Sequence, residues 1–473
     1  MHRLRPLAAR LKSALFPTAL AFLGVLFSPL AASAEEATSA ASNKLLLDQL
    51  WVVVCAALVF FMQAGFLAFE MGSVRKKNAF VTAAKNVGDW VMVTLVFFFI
   101  GFGLMFGRSN GFIGSDLFSG TGIDNNPKGS PLGWSFFLFQ LAFAGTAATI
   151  VSGAMAERVS FRAYLVYTCI MGGLIYPIFG HWVWGNGFYA GNKPWLASMN
   201  YVDFAGSSVV HLVGATGSIV GISMLGPRLG RYSSSGKVTP MDSHGMGWVC
   251  LGTLILWFGW WGFNGGSTLA LNKDVPLVIL NTSLAAAASG ISGFTHCSLF
   301  QRHQYIGEKF NGAILGGLVA ITACCHVVSP LGAVIIGLIA GVLHNITYDL
   351  VIVRWRLDDV VGAIPVHGFC GMLGILSVGI FGLQSKLPLP RFQQIQVQAL
   401  GILVCVAWTA ATSYIVFKVL QLTVGIRVAP MREIKGLQLD HEGDDETKEL
   451  EALDQPIQLD EPLRNSIAPG VDR

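Results

Sequence analysis

Eleven apolar runs, most of them twenty or more residues long and separated by polar loops, constrain this 473-residue chain more than any other feature. They lie at roughly 48–72, 79–107, 132–156, 163–184, 203–226, 243–264, 276–299, 311–328, 331–350, 359–383 and 395–421. A bilayer offers no water to the backbone, so a spanning segment must bond its own N–H and C=O groups. An unbroken apolar run of about 20 residues does this as a helix. The sequence therefore predicts an all-α polytopic membrane protein with eleven transmembrane helices. Charged residues make up only 12% of the chain, about half the share of a soluble domain. Lipid is then an obligatory partner, and with no basic patch there is no nucleic-acid partner. All eight cysteines fall in or at the ends of apolar runs without metal-ligand spacing, so they read as small hydrophobes, with no metal and no cofactor. Gly312-x-x-x-Gly316 and Gly337-x-x-x-Gly341 have the spacing of close helix packing.

The two ends differ from the middle. Residues 1–34 carry Arg3, Arg5, Arg10 and Lys12, then an apolar stretch, then Ala32-Ser33-Ala34, the pattern of a cleaved signal peptide. An uncleaved anchor is the alternative. Residues 35–421 hold the eleven spans, and residues 422–473 form a cytoplasmic tail, acidic from Asp440 to Glu461. Such a tail is either mobile or docked on basic loops. With the N-terminus periplasmic, an odd span count puts the C-terminus in the cytoplasm. The loops then assigned to the cytoplasm, such as those with Arg75, Arg158, Arg228 and Arg354, carry twice the Lys and Arg of the outer loops. That agrees with the positive-inside rule at a bacterial inner membrane.

Two stretches share a pattern: Asp203-Phe-Ala-Gly-Ser-Ser-Val-Val-His211 and Asp359-Val-Val-Gly-Ala-Ile-Pro-Val-His367. Each opens an apolar run with an aspartate and sets a histidine eight residues deeper, about 12 Å along a helix. The stretches belong to the fifth and tenth spans and so enter from opposite faces, which predicts two inverted five-helix repeats plus one C-terminal helix. Both imidazoles then reach the midplane, where transport sites sit at repeat interfaces. The plainer alternative is two unrelated core histidines; the matched spacing argues against it. Asp359 reads as a helix cap without a transport role, and His181 as structural. Aromatic residues gather at the outer ends of the fourth and sixth spans, in His181-Trp-Val-Trp184 and Phe258-Gly-Trp-Trp-Gly-Phe263. Aromatic faces attract compact cations, and the Ser267 hydroxyl can accept an N–H. An interfacial aromatic belt accounts for the same residues.

Several motifs in order make the chain recognisable. They are Gly72-x-x-Arg75-Lys-Lys-Asn78, Ala156-Glu157-Arg158, Asp203-Phe-Ala-Gly206 through His211, Trp261-Gly-Phe-Asn-Gly-Gly-Ser267, Val366-His367-Gly-Phe-Cys-Gly371 and Leu422-Thr-Val-Gly-Ile-Arg427. Over residues 45–430 the sequence resembles the ammonium transporter family, on the Amt/Mep side by virtue of Trp184. The resemblance implies a homotrimer with one pore per subunit, moving ammonium or ammonia and extending to methylammonium. It makes Trp184, Phe143 and Ser267 the outer recruitment site, with Asp203 the buried acid supporting it. Phe143 and Phe263 become the stacked gate, and His211 and His367 the twin histidines of the pore. On this reading the cation loses its proton at the phenylalanines, because a bare charge is costly in the apolar pore beyond. Ammonia then passes the imidazoles, which can also relay the proton. A sensor that binds ammonium at the same site and signals through its tail is the second reading. An intramembrane enzyme is not, for want of a nucleophile or metal constellation. The chain departs from the family at Ser207, at Ala64 and in the tail. There Gly436-Leu-Gln-Leu-Asp-His441-Glu442-Gly443 inverts the last pair of the pattern associated with a P-II regulatory protein, which weakens the expectation of that partner.

Overall fold

The computed structural model describes residues 5–126, 128–301, 305–437 and 439, with side chains from residue 39 onward. In chain order its long helices are α1 (Arg5–Ser73), α2 (Lys76–Phe106), α3 (Trp134–Ala154), α4 (Phe161–Trp184), α5 (Ser207–Leu225), α6 (Met246–Gly266), α7 (Val275–Phe300), α8 (Ile306–Thr322), α9 (Pro330–Arg354), α10 (Ile364–Phe381) and α11 (Arg391–Thr423). A short helix α12 (Pro430–Lys435) follows. Among the described residues β-structure is limited to isolated bridges. The expected leader, 1–34, lies outside the residues described with side chains.

Ten of these helices are long and apolar enough to cross a membrane, α1 over Ser39–Ser73. The expected span at 311–328 corresponds to α8, whose 17 residues sit at the short end of the spanning range. Every residue from 311 to 322 is buried, so α8 meets protein on all sides. The apolar run continues to Val328, but the helix stops at Thr322 and 323–329 fold as turns. Irregular backbone is tolerated at depth where protein, not lipid, surrounds it. Asn281 supplies the missing donor, bonding the carbonyls of Cys325 (2.9 Å) and Val328 (3.1 Å).

The spans expected to begin at Asp203 and Asp359 begin instead at Ser207 and Ile364. Both aspartates lie before the first turn as caps, satisfying donors that would otherwise be orphaned at a helix start. The α5 start lies beside Trp184, at what is here called the aromatic face. The α10 start lies beside Arg158 and Arg228, at the arginine face. The two helices therefore enter from opposite sides.

The tail divides at the limit of description. Through residue 437 it is docked: Val428 N donates to Arg158 O (3.1 Å), Leu437 N to Asn78 Oδ1 (2.9 Å), and Leu229 N to Glu433 Oε1 (2.6 Å). Of the two alternatives, mobile or docked, this portion is docked. The docking uses backbone pairing as well as an expected basic loop partner, Lys77, while Arg427 and Glu433 pair within the tail. The acidic segment 440–461 lies outside the described residues.

Candidate functional site

The first turns of α5 and α10 are built alike. Both open as π-helix, Ser207–Leu212 and Ile364–Phe369, and each histidine sits in that opening. Three residues after each aspartate comes a glycine with positive φ, Gly206 (111°) and Gly362 (71°), which turns the chain into the helix. The Asp203 carboxylate accepts from the N–H groups of Gly206, Ser207, Ser208 and Val209 at 2.8–3.0 Å and from Ser208 Oγ at 2.6 Å. Asp359 accepts from Ala363 N (3.0 Å) and Ile364 N (2.8 Å). The Asp203 carboxylate is thus spent on its own helix, and its link to the aromatic face runs through its carbonyl oxygen, which takes the Trp184 indole N–H at 2.7 Å. A Cβ at position 206 would meet Val210 at 2.8 Å and the Trp184 ring at 3.1 Å, so glycine also sets how closely that indole approaches.

Beside Trp184 a cavity of about 200 Å³ is lined by Phe106, Phe136, Phe139, Gln140, Phe143, Phe204 and Ser267, among others. Ser267 caps the end of α6, and its hydroxyl donates to Phe263 O at 2.8 Å. With that hydrogen engaged, the oxygen offers lone pairs only, and so favours a ligand with N–H or O–H to give. From the cavity a column of rings descends. Phe143 meets Trp184 edge-on at 6.1 Å and stacks on Phe263 at 4.0 Å and 21°. Phe263 lies 5.5 Å from His211, and His211 lies 5.1 Å from His367 at 15°. A 4.0 Å stack leaves no room for a molecule between the phenylalanines. Passage there requires the rings to move.

The imidazoles face each other through like atoms, His211 Nδ1 to His367 Nδ1 at 3.1 Å. Two neutral rings can bond this way only if one Nδ1 carries hydrogen and the other does not. The outward nitrogens then have opposite character, one a donor and one an acceptor. His211 Nε2 is buried without a partner, beside Trp260 stacked at 5.1 Å. An unpaired ring nitrogen in an apolar shaft is costly, and a small hydrogen-bonding molecule would relieve it. Below the pair, His367 lines a second cavity of about 20 Å³ with Glu70, Phe66 and Val361.

Ions seal the arginine face. Glu157 holds Arg75 through Oε2 (2.6 Å to Nε) and lies 3.3 Å from Arg228. It does so with φ of 70°, a left-handed conformation uncommon for glutamate. Asp358 takes Arg228 N, Nε and Nη2 at 2.8–2.9 Å, and Arg158 reaches Asp358 O at 2.7 Å. Burial alone would raise both carboxyls. Arg228 with Arg75 instead holds Glu157 below the usual carboxylate range, and Arg228 with Arg158 holds Asp358 well below it.

The structure thus brings Trp184, Phe143, Ser267, Asp203, Phe263, His211 and His367 into one column. His181 lies apart, bonded to Met105 O and Ser109 Oγ. Among the described residues no cluster of His, Cys, Asp and Glu could hold a metal. Sequence reading passed over Gln140, whose buried Oε1 is unpaired beside the outer cavity, and placed Trp260 in an outer aromatic cluster rather than against His211. It also passed over Glu70, Lys85 and Asp89, where the signal was present: charged residues inside the runs 48–72 and 79–107 are rare enough to single out.

Comparison with known proteins adds to this geometry. The profile of the Ammonium Transporter Family matches residues 50–447. The chain is 40% identical over 418 residues to "Ammonium transporter Amt2" of Archaeoglobus fulgidus, covering 83% of this chain and 86% of that one. It is 35% identical over 438 residues to "Ammonium transporter 1 member 3" of Solanum lycopersicum, covering 84% and 92%. Among solved structures, a "Sensor Amt Protein" superposes with a TM-score of 0.82 at 41% identity, over 84% of this chain and 99% of that chain. The crystal structure of Candida albicans Mep2 superposes with a TM-score of 0.73 at 25% identity, over 81% and 86%.

Proposed function

The chain belongs to the ammonium transporter family, and from that premise we propose that each subunit moves ammonium across the membrane by separating the cation into ammonia and a proton. The cation is recruited in the outer cavity, where the Trp184 and Phe143 rings face its charge and the Ser267 oxygen accepts one N–H. Potassium has a similar radius but no N–H to give. Moving Phe143 and Phe263 apart opens an apolar shaft in which a bare charge is disfavoured, so the proton leaves. Ammonia passes beside the imidazoles. The proton follows through them: a bond forms at His211 Nε2, the hydrogen on His211 Nδ1 moves to His367 Nδ1, and the hydrogen on His367 Nε2 leaves below. The one observation that carries this reading is the Nδ1–Nδ1 contact of 3.1 Å at the foot of a closed aromatic stack. The arginine face is cytoplasmic by its charge, and the working unit is a homotrimer in lipid, with methylammonium as a further substrate.

The test is ammonium-evoked current in liposomes holding the purified protein. The reading expects a current that saturates with ammonium and excludes potassium. It expects H211A/H367A to stay assembled while losing that selectivity. An assembled double mutant with unchanged selectivity would overturn the pore role of the histidines.

Sensing is the second reading, favoured by the superposition on the "Sensor Amt Protein". In that case the wild-type protein binds ammonium in the outer cavity and passes neither current nor ammonia.

A further inference from the structure

Buried charge lies below the histidines, and nothing in the transport path described so far uses it. Glu70 on α1 is 2% exposed and lines the small cavity into which His367 also faces. Its Oε2 accepts from Asn86 Nδ2 and Ser152 Oγ, both at 3.0 Å, and no hydrogen bond to Oε1 is made among the described residues. Lys85 and Asp89 follow on α2, 1% and 0% exposed. Lys85 Nζ donates to Ser152 O at 3.3 Å, and Tyr164 donates to Asp89 Oδ2 at 2.7 Å, while Asp89 Oδ1 is buried without a partner.

The charge count of this cluster is informative. With both carboxylates ionised it holds one net negative charge inside the membrane, and a single added proton brings it to neutrality. Ionisable groups at that depth are expensive for folding and are found where ions or protons pass. The cavity between His367 and Glu70, about 20 Å³, has room for about one water.

We infer that Glu70 is the acceptor that takes the proton from His367 on the cytoplasmic side of the histidine pair, across the inner cavity. The inference rests on the transport reading above. The His367 Nε2–H bond breaks with its electron pair kept by nitrogen, directly or through one water, and an O–H bond forms on the Glu70 carboxylate. His367, protonated a step earlier at Nδ1, becomes neutral, as does Glu70. The proton then leaves Glu70 to cytoplasmic water, nothing is oxidised, and the carboxylate is restored; the imidazoles are left with hydrogen on His211 Nε2 and His367 Nδ1, and both must return to their starting tautomers before the next proton enters. Asn86 and Ser152 hold the carboxylate in place.

Glu70→Gln tests this, because a glutamine oxygen still accepts from Asn86 and Ser152 but cannot be protonated at neutral pH. In liposomes E70Q is expected to cut the ammonium-evoked current by about 100-fold, the lower end of what a positioned proton-transfer group contributes, while Glu70→Asp restores part of it. A wild-type current that assembled E70Q carries to within about twofold overturns the relay alone. No current from wild type overturns the transport reading and the relay together. Should E70Q fail to assemble, ammonium-induced infrared difference spectra of the wild-type protein decide: a new protonated-carboxyl stretch supports the relay, and its absence overturns it.

Discussion

The α5 and α10 openings are one local device used twice, and they differ in what they open onto. Both set Asp, then Gly with positive φ, then a π-helical turn carrying histidine. At α5 the device meets a cavity of about 200 Å³ walled by rings. At α10 it meets a cavity of about 20 Å³, and the residue before its aspartate, Asp358, is locked to Arg228. Asp203 accepts five hydrogen bonds and Asp359 two. The repeated sequence sets depth and direction, and the neighbouring helices set access. One end opens onto a ring-walled cavity, and the other is held shut by ion pairs.

Removing each aspartate should break the symmetry of that pair most sharply. D203A strands four backbone donors at ~1–3 kcal/mol each, so folded protein should be lost or its thermal midpoint should fall steeply. D359A strands two and should cost about half as much. Equal destabilisation of the two variants would mean the difference in bonding has no weight.

The ionic seal comes next. D358A leaves Arg228 buried without its main partner, a loss of ~3–5 kcal/mol in unfolding measurements, because breaking a buried pair strands the remaining charge. The same pair sets a pH dependence. Asp358 and Glu157 are held below their ordinary values, so their contribution is complete above the unfolded carboxylate range near pH ~4 and is lost as pH falls below it. Acid melting of the wild type should therefore steepen there, and D358N should flatten that limb. An unchanged acid limb would remove the seal from the stability argument.

The two smallest effects fall on the open end. W184L removes a ring from the cation and should raise the ammonium concentration for half-maximal current by about 2–30-fold, from ~0.5–2 kcal/mol. S267A forfeits one acceptor and should raise it several-fold, from ~0.5–1.5 kcal/mol. The thermal midpoint should barely move in either, since neither touches the ionic seal. If W184L destabilises as much as D358A, the indole bonded to Asp203 O is a structural tie first.

Much of this was legible along the chain. The helices, their order and the antiparallel approach of the two histidines follow from run lengths and from an odd number of spans between two matched motifs. The family resemblance also named the five rings of the column, with Ser267 and Asp203 beside its top. The ends of elements were harder to read, because an apolar residue looks the same whether lipid or protein covers it. Ala323 to Val328 read as membrane helix and fold as buried turns, with Asn281 from another helix supplying the donor that permits this. Gln140 gave no signal of its own, and Trp260 was seen only as one of an aromatic cluster, since a glutamine or tryptophan on an apolar helix says nothing about the ring or cavity beside it. Glu70, Lys85 and Asp89 did give a signal, in their charge.

What the sequence determined by itself is what depends on length and period: helices of spanning length, and a histidine eight residues after an aspartate in each of two segments that run in opposite directions. Only the tertiary structure decided that the two Nδ1 atoms meet at 3.1 Å, that Phe143 and Phe263 stack at 4.0 Å above them, and that Glu70 shares a cavity with His367. Those are distances between side chains on different helices. They are set by packing among residues 120 to 297 positions apart, and no local pattern along one helix encodes them.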